Sequence, residues 1–429
     1  MSMFCYQCEQ TAGGTGCTKQ GVCGKNSDIA SLQDTLIFGL KGIAAYAFHA
    51  RVLGYTDPEI DAFMSKALFS TLTNVNFDMK SHLDLVLEAG KVNLKAMQIL
   101  DAANNETFGV AEPTKVNTGT CSGPGILVTG HDLLDLRSLL EQTEGTGINI
   151  YTHGEMLPAH GYPKLKRFKH LAGTWGGAWQ KQRQEFADFP GAILATTNCV
   201  LIPPKSYNDR IFTTGIARLP EVPHVHRDDF SAVIDKARSL PALEETSGKT
   251  VTTGFNYRSV LKLAGPILEA IKAKKIRHFF MVGGCDGTRT SRSYYTEFVR
   301  RLPQDTVILT LGCGKFRLTE LELGDIDGIP RLLDLGQCND AYSALQIALA
   351  LADALDCEVN DLPLTLVVSW FEQKAVAILL TLLHLGIKGI RLGPSLPAFL
   401  TPPVLQVLME NFDLQPVTTP AEDIAAILG

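Results

Sequence analysis

Ten cysteines occur in the 429 residues, and four of them fall within the first 23 positions. Cys5, Cys8, Cys17 and Cys23 form the pattern C-x2-C-x8-C-x5-C. Thiolates on one short loop can converge on a single centre without help from regular structure. Zinc and iron–sulfur clusters both accept four of them, and the spacing leaves the two equally open. A disulfide pair is the plainer alternative, disfavoured because a reducing cytoplasm keeps such thiols free. A thioredoxin-like Cys-x-x-Cys fits poorly, since no strand precedes it and two further cysteines follow.

The other metal-capable residues share a position relative to short apolar runs. His131 follows ILVTG, Glu155 comes after INIYTHG, and Cys199 follows AILATTN. Cys285 follows HFFMVGG, Cys313 follows TVILTLG, Cys338 follows RLLDLGQ, and Glu372 comes just after LTLVVSW. These runs have strand character, and in open α/β sheets ligands bind beyond the carboxyl ends of the strands. Singly, each residue has a plain reading: a buried cysteine is a small hydrophobe, and a histidine after a strand caps or packs. Jointly, four cysteines, one histidine and two glutamates exceed the needs of one tetrahedral ion. They imply a multinuclear centre with sulfur, nitrogen and oxygen ligands. Thiolates suit iron–sulfur chemistry, while histidine and carboxylate favour harder, substrate-accessible iron.

The elements that must position these residues follow from periodicity. DIASLQDTLIFGLKGIAAYAFHARVLGY has helical spacing and ends at Gly54. Thr56 and Glu59 have capping-box spacing, with Pro58 in the first turn of a second helix, EIDAFMSKALFSTL. MKSHLDLVLEAGKVNLKAMQILDAA reads as a third helix. Pro113 and the polar stretch NTGTCSGPG mark a boundary, after which strand-like runs, GIRLG among them, alternate with helical patterns. The expected architecture is multidomain α plus α/β: an N-terminal three-helix bundle followed by two Rossmann-like α/β domains with parallel sheets. The expected boundaries are 1–109, 110–260 and 261–429, with the second metal centre at the domain interface.

Composition excludes several classes. A hydrophobic content of 45% and a charged content of 20% match an ordinary soluble protein, and a net charge of −6 gives no reason to expect nucleic acid or an anionic membrane as partner. No window approaches the ~18 apolar residues of a membrane span. MSMFCYQCEQ lacks a basic region followed by an apolar run, so no secretory signal is expected and the cytoplasm is the default location.

In order along the chain, MFCYQCEQTAGGTGC, GHDLLDL, HGEMLPAHGYPKLK, TTNCVLIPP, VGGCDGTR, TLGCGKFR, GQCNDAYSA and SWFEQKAV resemble the motifs of the hybrid cluster protein family, the prismane or hydroxylamine reductase proteins. The resemblance covers nearly the whole chain. It implies a 4Fe–4S cubane on Cys5, Cys8, Cys17 and Cys23. It also implies a hybrid 4Fe–2O–2S cluster on His131, Glu155, Cys199, Cys285, Cys313, Cys338 and Glu372. Cys285 matches the cysteine that carries a persulfide, and Lys374 matches a lysine beside the cluster, so Glu372, Lys374 and Cys285 are the implied catalytic groups. The implied activity is reduction of hydroxylamine to ammonia and water, or of nitric oxide to nitrous oxide in nitrosative-stress defence, with electrons from an external reductase. The alternative is a protein S-nitrosylating or redox-signalling role for the same clusters. Two departures stand out. The chain resembles the short class, with room for one helical bundle, and Phe371 stands where a tyrosine is expected.

Other features point elsewhere. Ser247-Gly248-Lys249-Thr250 ends like a phosphate loop, but Leu243 occupies the first glycine position, so a loop before strand-like VTTGF is the better reading. The glycines of GGCDG and LGCGK are expected to let backbone approach the cluster. Cys121 and Cys357 read as structural, Trp175 and Trp179 as packing. His153 and His160, flanking Glu155, read as orienting residues, with proton delivery as a further role for one of them.

Overall fold

A computed structural model describes residues 3–429. The three N-terminal helices expected from periodicity are present: α1 (Ser27–Val52), α2 (Pro58–Ser70) and α3 (Met79–Phe108). The Asn26 side chain caps α1 by accepting from the Ile29 amide at 2.9 Å, and the chain turns away at Gly54, where φ is +90°. The cap of α2 differs from the expected box. Asp57, not Thr56, takes the N-cap, because its carboxylate accepts the Glu59 N–H at 2.8 Å and leaves Pro58 as the first helical residue. Helix α3 runs five residues past its expected end and stops before Gly109, where φ is +87°.

By compactness the chain divides into two units, Met1–Ala103 with Cys357–Gly429, and Asn104–Asp356. This division differs from boundaries at 110 and 260. Contacts that cross residue 260 keep Asn104–Asp356 together, among them Phe255 N–H to the Asp334 carbonyl at 3.0 Å. Within the first unit, α1 and α3 pack closely on the helix Gln373–His384. A Cβ on Gly42 would lie 2.5 Å from the Ala377 Cβ, and one on Gly90 would lie 2.0 Å from the Leu380 carbonyl oxygen. Only glycine permits backbones this close. Asn93 and Thr381 share a buried hydrogen bond of 3.0 Å in the same contact.

The second unit carries β1 (Thr114–Asn117), β2 (Gly125–Thr129), β3 (Asn149–His153), β4 (Leu171–Thr174), β5 (Ala192–Ala195), β6 (Ile211–Thr213) and β7 (Thr250–Thr253). Further along lie β8 (His278–Gly284), β9 (Thr306–Thr310), β10 (Asp325–Ile326), β11 (Ile329–Pro330) and β12 (Leu332–Asp334). One parallel sheet has the order β4-β3-β2-β5-β6, and β12-β9-β8 run parallel beside one another. β1 pairs antiparallel with β7, so Ser247–Thr250 leads into a strand as expected. In the first unit, β13 (Leu364–Ser369), β14 (Arg391–Gly393) and β15 (Gln415–Pro416) are also parallel. β2, β5 and β9 are buried at every position, which explains their unbroken apolar sequences. Tyr151, Phe186, Phe189, Ile193 and Tyr207 pack behind the first sheet. Among the described residues, no helix is long and apolar enough to cross a membrane.

Candidate metal centres

Cys5, Cys8, Cys17 and Cys23 lie on a loop with almost no regular structure. Cys5 and Cys17 exchange backbone hydrogen bonds of 3.0 and 2.8 Å, which brings the two ends of the loop side by side. Thr11 closes a turn by donating its N–H and hydroxyl to the Cys8 carbonyl, at 3.2 and 2.7 Å. The Ala12 amide points at the Cys17 sulfur from 3.5 Å; with the Val22 amide and Lys25 it holds that thiol below its ordinary pKa. Cys5, Cys8 and Cys23 line one recess together with Lys25, Leu72 and Phe77. All four thiols are free, and a thiol biased toward thiolate among three neighbours fits a metal centre of the four-thiolate kind.

The strand-end residues of the second unit also converge. The ligand atoms of His131, Glu155 and Cys338 lie within 4.8 Å of one another, and all three residues are buried. His131 Nε2 is 3.5 Å from Glu155 Oε2, while Cys313 Sγ is 3.4 Å from Glu155 Oε1. The sheet explains the first contact. β2 and β3 are parallel with Thr129 opposite His153, so residues two further along emerge side by side. The Cys338 amide donates to Glu155 Oε2 at 2.7 Å. Burial pushes the Cys313 thiol well up, and the nearby Glu155, Cys199 and Cys285 push it further. Buried donors crowded in this way are stabilised by a cation among them, and their mixed sulfur, nitrogen and oxygen chemistry fits an iron centre.

Each donor has a second group holding it. His131 Nδ1 lies 2.7 Å from Thr197 Oγ1, so a proton on Nδ1 puts the ring's lone pair on Nε2, the nitrogen facing Glu155. Gly130, with φ +115°, permits this approach, since a Cβ there would meet Thr196 Oγ1 at 2.3 Å. Cys199 takes φ +63°, and the Gln182 amide donates to its carbonyl at 2.7 Å. Asp286, next to Cys285, accepts from Arg317 and from Gln180, each at 2.7 Å, and its carbonyl accepts from the Trp179 indole at 3.1 Å. Trp179 therefore does more than pack. The Lys315 ammonium lies 2.6 Å from Asp334 and donates to the Gly336 carbonyl at 2.8 Å, tying the Cys313 loop to the strand before Cys338. Sequence reasoning passed over Gln182, Asp286, Lys315 and Asp334. For Lys315 and Asp334 the available signal was a charge beside an apolar run, whereas Gln182 and Asp286 lie in polar or glycine-rich stretches that give none. Gly283 and Gly312 let the Cys285 and Cys313 segments pack against each other, with Gly312 lying against the Gly284 carbonyl.

His153 and His160 do not join the donors. His153 is held between Thr129 Oγ1 at 3.1 Å and Glu185 Oε2 at 3.0 Å. His160 lies 3.1 Å from Thr152 Oγ1, and burial brings its pKa down to about 4, so it stays neutral. Glu372 and Lys374 belong to the first unit. There Glu372 caps the helix Gln373–His384 through the Lys374 amide at 3.1 Å, and Lys374 Nζ lies 3.9 Å from Glu372 Oε1. Phe371 beside them is 48% exposed.

The sequence profile of the Prismane/CO dehydrogenase family matches residues 3–86 and 49–425. A hydroxylamine reductase of Moorella thermoacetica is 69% identical over 427 residues, covering 100% of both chains. The hydroxylamine reductase of Solidesulfovibrio magneticus is 59% identical over 406 residues, covering 94% of this chain but 75% of that one. Relatives of two lengths therefore exist, and this chain matches the shorter end to end. Among solved structures, carbon monoxide dehydrogenase IV from Carboxydothermus hydrogenoformans is similar with a TM-score of 0.81 at 15% identity, over 100% of this chain and 92% of that one. At that identity the likeness concerns the fold alone.

Proposed function

Because this chain belongs to the Prismane/CO dehydrogenase family, we propose that it is an iron–sulfur oxidoreductase that reduces hydroxylamine to ammonia and water. The observation that carries the reading is the buried convergence of His131, Glu155, Cys313 and Cys338, a donor set mixing nitrogen, oxygen and sulfur. The balanced reaction is NH2OH + 2 e− + 2 H+ → NH3 + H2O. Cys5, Cys8, Cys17 and Cys23 would hold a 4Fe–4S cluster. His131, Glu155, Cys199, Cys285, Cys313 and Cys338 would hold a hybrid 4Fe–2O–2S cluster, to which the SWFEQKAV motif also assigns Glu372. When bound, the iron supplies the electrons and Lewis acidity that N–O cleavage requires.

The protein's own groups do the rest. Thr197 holds the His131 tautomer, and the Cys338 amide fixes one carboxylate oxygen of Glu155. Lys374 Nζ lies 3.9 Å from Glu372 Oε1, and we assign this pair to proton supply. An external reductase is the proposed electron source. Coupling of two nitric oxide molecules to nitrous oxide, a persulfide on Cys285, a role in nitrosative stress and a cytoplasmic location are proposals that rest on the motif resemblance. Packing of α1–α3 as a bundle and the Rossmann-like character of the α/β regions are proposals of the same kind.

The test is ammonia release from hydroxylamine with a chemically reduced dye, on protein purified without oxygen. Wild-type protein is expected to turn over, and Glu155→Gln to lose at least about 100-fold while keeping its fold. Wild-type protein that releases no ammonia, or Glu155→Gln at the wild-type rate, contradicts the reading.

A further inference from the structure

We infer that Gln337 is a positioning residue whose side-chain amide sets the mutual geometry of His131, Glu155 and Cys338. The inference rests on the reading that these three residues hold a metal centre. Gln337 Nε2 donates one hydrogen bond to the His131 carbonyl at 3.1 Å and a second to the Glu155 carbonyl at 2.8 Å. The Asp340 amide donates to its main-chain carbonyl at 3.0 Å. Both side-chain N–H groups are therefore engaged. The orientation of the amide follows from its partners, since two carbonyls can only accept.

These bonds differ from an ordinary cap. They reach 206 and 182 residues back along the chain, and Gln337 is only 4% exposed, so water does not compete for them. Glu155 is gripped twice by neighbouring residues, at its carbonyl by Gln337 and at its carboxylate by the Cys338 amide. Gln337 itself is anchored by its own N–H, which donates to Asp340 Oδ2 at 2.7 Å. The turn that aims it requires Gly336, with φ +136°, where a Cβ would lie 2.1 Å from that same carboxylate oxygen. Gln182 is the instructive contrast. Its side chain also makes two amide bonds, to the Cys199 carbonyl and from the Leu201 amide, but both fall on one loop and so hold one ligand segment. Gln337 holds three.

Two full-length variants separate this role from that of a local cap. Gln337→Met keeps the length and loses every side-chain hydrogen bond. Gln337→Glu keeps the length and a polar end but turns carboxylate oxygen toward two carbonyls. Both are purified without oxygen and compared with wild type by EPR, iron content, thermal melting and hydroxylamine turnover. The expected result is an unchanged signal from the N-terminal cluster, a lost or shifted signal from the second centre, and turnover lower by about 10–100-fold. Gln337→Glu is expected to be the more damaging of the two. The inference is overturned by a milder Gln337→Glu, which a polar space-filling role alone predicts, or by a Gln337→Met protein with both signals and turnover at wild-type level. Parallel loss of both signals and of the melting transition in both variants also overturns it, since the role is then general to the fold. A wild-type protein that shows the N-terminal cluster alone contradicts the functional reading instead, whatever the variants do.

Discussion

In the N-terminal loop, four thiols come from residues 5–23, and the hydrogen bonds around them are short-range turns and one pair of backbone bonds between Cys5 and Cys17. Three of the four cysteines are only partly buried. In the second unit, the donors come from segments as distant as His131 and Cys338, each fixed by a named partner: Thr197, the Cys338 amide, Gln182, Gln337. The first arrangement is held by those few local bonds. The second is built by strand register. A local site is thus easy to read and weakly held, while a site assembled from strand ends is hard to read and strongly held.

The largest way to break that contrast is to remove a beam of the second site. Lys315 is 0% exposed and Asp334 1%, so Lys315→Met leaves a buried carboxylate without its ammonium partner. The expected cost is about 3–5 kcal/mol of unfolding free energy in urea, most of it recovered when Asp334→Leu is added. A cost under about 1 kcal/mol would mean that the pair does not brace the Cys313 and Cys338 loops.

Iron removal sharpens the comparison from the other side. After chelation, amide hydrogen exchange across residues 5–23 is expected to rise toward the rate of an open chain, because metal binding is what organises such loops. The amides of Ile126–Val128 and Ile150–Thr152, buried in β2 and β3, are expected to stay protected. Equal deprotection of both regions would remove the distinction.

The smallest effect concerns pH. Burial, then the neighbouring Asp132, raises the Asp135 pKa to about 7, with Arg227 opposing. Asp135 lies in the helix that follows His131. The folded state then binds this proton more tightly than the unfolded chain does. Its contribution to stability is present at low pH, falls as pH rises from the ordinary aspartate value to about 7, and is level above that. Urea midpoints at pH 5 and pH 8 are expected to differ less in Asp135→Asn than in wild type. An unchanged difference would show that Asp135 does not titrate in this window.

What could be read from the sequence follows the same division. ILVTG, AILAT and TVILTLG were legible as strands because burial on both faces makes a strand an unbroken apolar run. His131 after the first and Cys313 after the third lie 3.5 and 3.4 Å from the Glu155 carboxylate. β4, with the sequence LAGT, and β6, with IFT, were not legible because they are too short to show a pattern. The α2 cap slipped by one residue because Thr56 and Asp57 are both competent and only geometry decides between them. Lys315 and Asp334 each interrupt an apolar run with a charge, which demands a partner without naming one. The amide of Gln337 is less visible still, since its partners are backbone carbonyls that any sequence supplies.

The most direct test of two independent centres is iron content and EPR on three proteins purified without oxygen: wild type, Cys8→Ser and Cys313→Ser. About eight irons and two distinct signals are expected in wild type. Cys8→Ser is expected to lose only the N-terminal signal, and Cys313→Ser only the other. A wild-type protein with about four irons and a single signal, or the loss of both signals in either variant, would contradict the account.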